Sequence, residues 1–219
     1  MVNIAHYMNQ LLAALGQNFG ARLAYVGLQG SHFRGEATEH SDIDVMVVIQ
    51  DMTVSDLEEY RNIIQSLPFY DKSCGFICST ADLAAWNPME ICNLLHSTKD
   101  LYGELRLLVP GYTKDDVVHF AKMSVNNLYH EICHRYIHAS EEINAAGLPF
   151  SYKSAFFILQ TVHYLRSGEF VLTKKELAFR LQGRDKEVML AAIAYPEHKT
   201  AQENFETLFL WCQETMASL

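Results

Sequence analysis

What this 219-residue chain lacks narrows it first. Its five cysteines (Cys74, Cys78, Cys92, Cys133, Cys212) are odd in number and contain no C-x-x-C pair, so neither a disulfide framework nor a cysteine zinc site organises it. No apolar run approaches the roughly 18 to 20 residues of a membrane span. The opening MVNIAHYMNQLLAAL lacks the basic start and unbroken apolar core of a signal peptide. These features predict a soluble, cytoplasmic protein with no membrane partner. Basic residues are scarce: 17 Lys and Arg stand against 26 Asp and Glu, a net charge of -9. That argues against extended DNA binding, which draws its affinity from Lys and Arg on phosphates. It leaves a bound nucleotide open. Disorder-like composition is missing too, since 49% of residues are hydrophobic and 20% charged, enough for a packed core.

The two halves of the chain read differently. Met1 to Pro110 holds 6 basic against 13 acidic residues, and Gly111 to Leu219 holds 11 against 13. The break at LVPGYTKDD reads as a linker, which predicts domains at 1–110 and 111–219. In the first, LAYVGL (23–28) and IDVMVVI (43–49) are β-branched-rich runs, and SCGFICS (73–79) is a weaker third. All three are predicted strands. An amphipathic helix is predicted from about Ile4 to Leu15, ending before Gly16, and another over SDLEEYRNIIQSL with Ser55 as cap and Glu58 three residues on. After Gly111 only helical spacing appears, so the second half is predicted to be a helical bundle. Together these predict an α+β protein.

The residues that carry chemistry lie between the first two predicted strands, in GSHFRGEATEHSDID (30–44). Gly30 lets the backbone approach a ligand directly after a strand, and Ser31 adds a hydroxyl where free N–H groups of the next turn can meet phosphate oxygens. Asp42 and Asp44 stand at the start of the second strand, where residues two apart point to one face. Two carboxylates so placed repel each other unless a divalent cation lies between them, and hard oxygen ligands favour Mg2+ or Mn2+. A phosphate-cradling turn beside such a pair suits metal-assisted phosphoryl or nucleotidyl transfer.

On these residues the sequence resembles the nucleotidyltransferases of the DNA polymerase beta superfamily. The pattern of Gly-Ser, a second Gly, then Ser-Asp-x-Asp before an apolar strand is met by Gly30, Ser31, Gly35, Ser41, Asp42 and Asp44. Chance would produce it on the order of once in a hundred thousand chains of average composition, so composition alone does not explain it. The resemblance implies attack by an acceptor hydroxyl on the α-phosphate of a nucleoside triphosphate such as ATP, with pyrophosphate leaving. Asp42 and Asp44 would hold the metal. Gly30, Ser31 and Ser41 would line the nucleotide, with Arg34 in the same loop placed to offset phosphate charge. Such enzymes usually carry a third carboxylate on the third strand, and SCGFICS has none. Asp71 just before it and Asp82 just after are the nearest candidates, Asp82 being equally well explained as a residue of the next helix's first turn.

The resemblance extends to the second half, where helical C-terminal domains of the HEPN type follow nucleotidyltransferase domains. YKSAFFILQTVHYLRSGEFVLTKKEL reads as helix, turn and helix, with Lys153 near a helix start where its ammonium would meet the triphosphate. No Arg-x(4 to 6)-His ribonuclease spacing occurs there. A rival signal is HEICH (130–134), the H-E-x-x-H pattern of zinc peptidases, with His138 continuing the stripe. No downstream extension supports it, and the stripe is expected instead to line a cleft between the domains or to be a polar helix face. Glu131, Glu141 and Glu142 are candidate bases in that cleft. Phe156, Phe157 and Trp211 are expected in the core and the cysteines as buried thiols. The sequence thus predicts transfer of a nucleoside monophosphate to a hydroxyl acceptor, an aminoglycoside being one candidate, with a homodimer through the helical half. A nucleotide-binding regulatory or antitoxin-like module without turnover is the alternative.

Overall fold

A computed structural model describes residues 2–219, which pack as two compact units meeting in sequence between Tyr112 and Thr113. The first unit opens with helix α1 (Ile4–Phe19), capped by Asn3, whose side chain accepts from the His6 amide. Tyr7, Met8, Leu11, Leu15 and Phe19 form its buried face. The helix runs through Gly16 and does not end before it. A glycine costs about 1 kcal/mol in a helix interior, and burying Phe19 one turn later offsets that. The stop is Gly20, at φ 54.

Strands β1 (Leu23–Leu28), β2 (Ile43–Ile49) and β3 (Ser73–Ser79) form over the three predicted runs. A fourth, β4 (Lys99–Tyr102), was not expected: KDLY is charged, short and mostly exposed, as edge strands are. The sheet order is β3-β2-β1-β4, with β1 antiparallel to both neighbours and β2 parallel to β3. Gly75 lets β3 close on β2, since a Cβ there would fall 2.0 Å from the Val45 carbonyl oxygen.

Between β1 and β2 lies a short helix α2 (Gly30–Arg34); α3 (Val54–Ser66) links β2 to β3. Its cap is Thr53 and not Ser55, and the reciprocal partner is Asp56 and not Glu58. The Thr53 amide donates to the Asp56 carboxylate at 2.7 Å, closing the box two residues earlier than the sequence suggested. Helices α1 and α3 cover one sheet face over Val26, Leu28, Val45, Val47 and Ile49. On the other face Tyr25, Met46, Val48 and Cys78 pack with Leu83 of α4 (Thr80–Ala84) and with Leu105. Helix α5 (Pro88–His96) precedes β4. Each fully buried aliphatic side chain contributes roughly 1.5–3 kcal/mol, so the two layers together fix the sheet that carries the candidate site.

The second unit is helical throughout: α6 (Lys114–His138), α7 (Glu141–Ser167), α8 (Lys174–Arg180), α9 (Gly183–Ile193) and α10 (Ala201–Ser218). Its core gathers Ile132, Tyr152, Phe156, Leu159, Val188, Leu208 and Trp211. Polar groups of buried aromatics are satisfied, Trp211 Nε1 donating to Asp185 at 2.8 Å and Tyr152 to the Asn204 carbonyl at 2.8 Å. Phe157 is 43% exposed, contrary to expectation, because it falls between the buried positions Phe156 and Ile158 on a helix whose other face meets solvent. Lys153 does not start a helix either. Ser140 caps α7, which runs unbroken through Pro149, so Lys153 is an exposed interior residue. Among the described residues no helix is long and apolar enough to cross a membrane.

Candidate active site

Side chains of even number on β2 share the face of Met46 and Val48, so Asp44 points to that face at the N-terminal end of the strand. Asp42, one residue before the strand begins, has the same parity. The chain reverses into β2 through a loop in which Ser41 Oγ accepts from the Thr38 amide at 2.9 Å. The Gln29 amide, just after β1, donates to the Asp44 carbonyl at 2.9 Å, which carries the β1–β2 pairing to the Gly30 turn. Gly30 sits at φ 66, and a Cβ there would lie 1.9 Å from Asp44 Oδ2. The glycine thus makes the room that the Asp44 carboxylate fills. Gly35 closes α2 in the left-handed region, at φ 71.

The register extends the row. On β3 the residue opposite Asp44 is Cys74. Contrary to the buried thiols expected of the cysteines, Cys74 is exposed; its thiol donates to the Asp44 carboxylate and feels the charge of Asp42 as well, and partial desolvation first, then the two carboxylates, hold it above the ordinary thiol range. On the other side, Gln29 Nε2 donates to Thr98 Oγ1 at 2.8 Å. Thr98, Gln29, Asp44 and Cys74 therefore line one rim of the sheet. Behind it the buried Tyr25 hydroxyl donates to Asp100 at 2.6 Å, and Gly27 leaves space for that pair. His32 approaches from α2 with Nε2 buried and unpartnered; burial lowers its pKa, opposed by Asp44 and assisted by Lys72. Lys72 in turn donates to the Glu39 carbonyl, tying the loop before β2 to the turn before β3.

Among the described residues neither Asp42 nor Asp44 forms an ion pair with Lys, Arg or His. No group of three or more His, Cys, Asp and Glu among them is arranged to hold a metal ion. The donor set is therefore two carboxylates, which fits a hard cation that completes its shell from water and phosphate oxygens. Arg34, 13% exposed, is held in an ion pair through Nε with Glu36 at 3.1 Å.

Neither candidate for the third carboxylate enters this row. Asp71 lies exposed in the turn Tyr70–Lys72, at the right end of the sheet but ahead of the strand. Asp82 is at the wrong end: Ser79 pairs with Ile49, five residues beyond Asp44, about 16 Å along the strands. There it accepts from the Ser79 amide and caps α4, which lowers its pKa. Gln29, His32, Cys74 and Thr98 were missed from sequence. Only the β2–β3 register could have singled out Cys74.

In the second unit the HEICH residues do not assemble a hydrolytic centre. Glu131 accepts from Arg135 at 2.6 Å and from Ser151 at 3.2 Å, drawn toward α7.

Residues 8–72 match the family model described as a nucleotidyltransferase domain. The Gly30 turn and the Asp42 and Asp44 carboxylates fall within that match. Among solved structures, the chain is similar in fold to the spectinomycin adenyltransferase AAD(9) from Enterococcus faecialis, determined with ATP and spectinomycin. The TM-score is 0.58 at 15% identity, covering 97% of this chain and 99% of that one. No curated protein matches it in sequence.

Proposed function

We propose that the protein transfers a nucleoside monophosphate, AMP from ATP, to a hydroxyl of a small acceptor. The observation that carries this reading is the Gly30–Asp44 contact, which joins the turn proposed to hold phosphates to a carboxylate pair proposed to hold a cation. Asp42 and Asp44 would hold Mg2+ or Mn2+, which when bound neutralises phosphate charge. Gly30, Ser31 and Ser41 would orient the outer phosphates through backbone N–H and hydroxyl groups. The acceptor oxygen then forms its bond to the α-phosphorus in line with the bond that breaks, pyrophosphate leaves, and the acceptor's proton goes to a base. Asp71, just ahead of the third strand, is the candidate carboxylate for that base. The nucleotidyltransferase domain would span 1–110 and the HEPN-like helical domain 111–219. A net charge of -9 favours a cationic acceptor, for which the spectinomycin adenyltransferase offers a model.

One observation favours a second reading, nucleotide binding without turnover: the strand position beside Asp44 holds the neutral thiol of Cys74 in place of a carboxylate. A pyrophosphate-release screen separates the two. ATP, Mg2+ and a panel of aminoglycosides and aminocyclitols should give release that depends on Asp42 and Asp44; nucleotide binding with no release from any acceptor class favours the binding module.

A further inference from the structure

His130, His134 and His138 are exposed and fall at i, i+4 and i+8 on α6, along one face through its last turns. The ring centroids of His134 and His138 are 4.7 Å apart and those of His130 and His134 are 5.9 Å apart. These spacings can be compared with what a shared ion requires. With metal–nitrogen bonds of about 2.1 Å and ring centres about 1.1 Å further out, two imidazoles on one ion have centroids about 4.5 Å apart at right angles and about 5.2 Å apart at the tetrahedral angle. The His134–His138 pair falls between these limits. The His130–His134 pair would need an angle near about 130°, outside the ordinary range. The three imidazoles do not converge on one ion, since no group of three or more such side chains among the described residues is so arranged.

We infer that His134 and His138 form a surface site for a borderline transition-metal cation such as Ni2+, Zn2+ or Cu2+, with water completing the shell. Imidazole nitrogen selects this class over Mg2+. The site is independent of the carboxylate pair proposed for nucleotide binding. It is also not hydrolytic, because Glu131 is engaged with Arg135 and Ser151 and offers no base. Its local effect is to staple the last turns of α6, which ends at His138 before the break at Ala139 and Ser140.

The test is calorimetric titration of the full-length, tag-free chain with NiCl2 and, separately, ZnCl2. The wild type should bind one equivalent. His134→Ala and His138→Ala should each weaken binding at least about tenfold, the loss that even an outer-shell partner can cause. His130→Ala should change it less than either. Asp42→Asn with Asp44→Asn should leave it unchanged. Both ligand substitutions lie on exposed positions, so folding is not in question. Absence of saturable binding overturns the proposal, as does binding that survives the His134→Ala, His138→Ala double variant or that is lost with the two aspartates.

Discussion

Alanine at Gly30 and at Gly35 provides a matched pair of perturbations. Both glycines sit in the left-handed region, at φ 66 and φ 71. An L side chain there costs about 1–2 kcal/mol in backbone conformation at either position. The surroundings differ. A Cβ at Gly35 meets nothing within 4 Å, whereas at Gly30 it lies 1.9 Å from Asp44 Oδ2 and 2.7 Å from its Cγ. Ordinary contact begins at 3.4 Å, so Asp44 must retreat by roughly 1.5 Å. Disturbing a group that positions a metal-ligating carboxylate typically costs about 10- to 100-fold in metal affinity or activity. Gly30→Ala should therefore lose at least as much stability as Gly35→Ala in urea unfolding, while only Gly30→Ala loses affinity for a non-hydrolysable ATP analogue with Mg2+, by roughly 10- to 100-fold. Equal nucleotide affinities in the two variants would refute the argument that Gly30 exists to seat Asp44.

Cys74→Asp places a third carboxylate beside Asp44; without divalent cation it should lower the melting temperature, Mg2+ should restore it, and pyrophosphate release with a productive acceptor should rise. A melting temperature indifferent to Mg2+ would remove Cys74 from the metal's neighbourhood. Asp82→Ala should reduce stability through the lost α4 cap and leave nucleotide affinity unchanged, read by the same unfolding and titration experiments. Asp116 accepts from Thr113 side chain and backbone, which lowers its pKa from the usual 3.8. A depressed carboxylate stabilises fully above the unfolded value and loses that contribution as pH falls through the lower folded value. Acid unfolding of the wild type should accordingly steepen below about pH 4, and Asp116→Asn should shallow that limb.

The parts of the fold legible in the sequence are those where one local signal dominates. Strands β1 and β2 are β-branched runs buried on both faces, and Asp44 falls on the face of Met46 and Val48 by parity alone. Strand β4 escaped notice because an edge strand next to β1 can be charged and exposed while Gly103 accommodates its close approach to Ala24. The extension of α1 past Gly16 depends on burying Phe19, a tertiary effect that outweighs glycine's local preference. Lys153 was misplaced for the converse reason: Pro149 reads as a boundary but lies inside α7, whose start is set by Ser140. The place of Cys74 beside Asp44 is a matter of parallel register between strands about 30 residues apart, which no local pattern encodes.

The central claim is that the turn at Gly30 and the carboxylates at Asp42 and Asp44 form one nucleotide and metal site. Its most direct test is calorimetric titration of a non-hydrolysable ATP analogue with Mg2+ into the wild type and the Asp42→Asn, Asp44→Asn double variant. Stoichiometric binding in the wild type that disappears in the folded double variant is the predicted result. Binding of equal strength in both, or none in either, would contradict it.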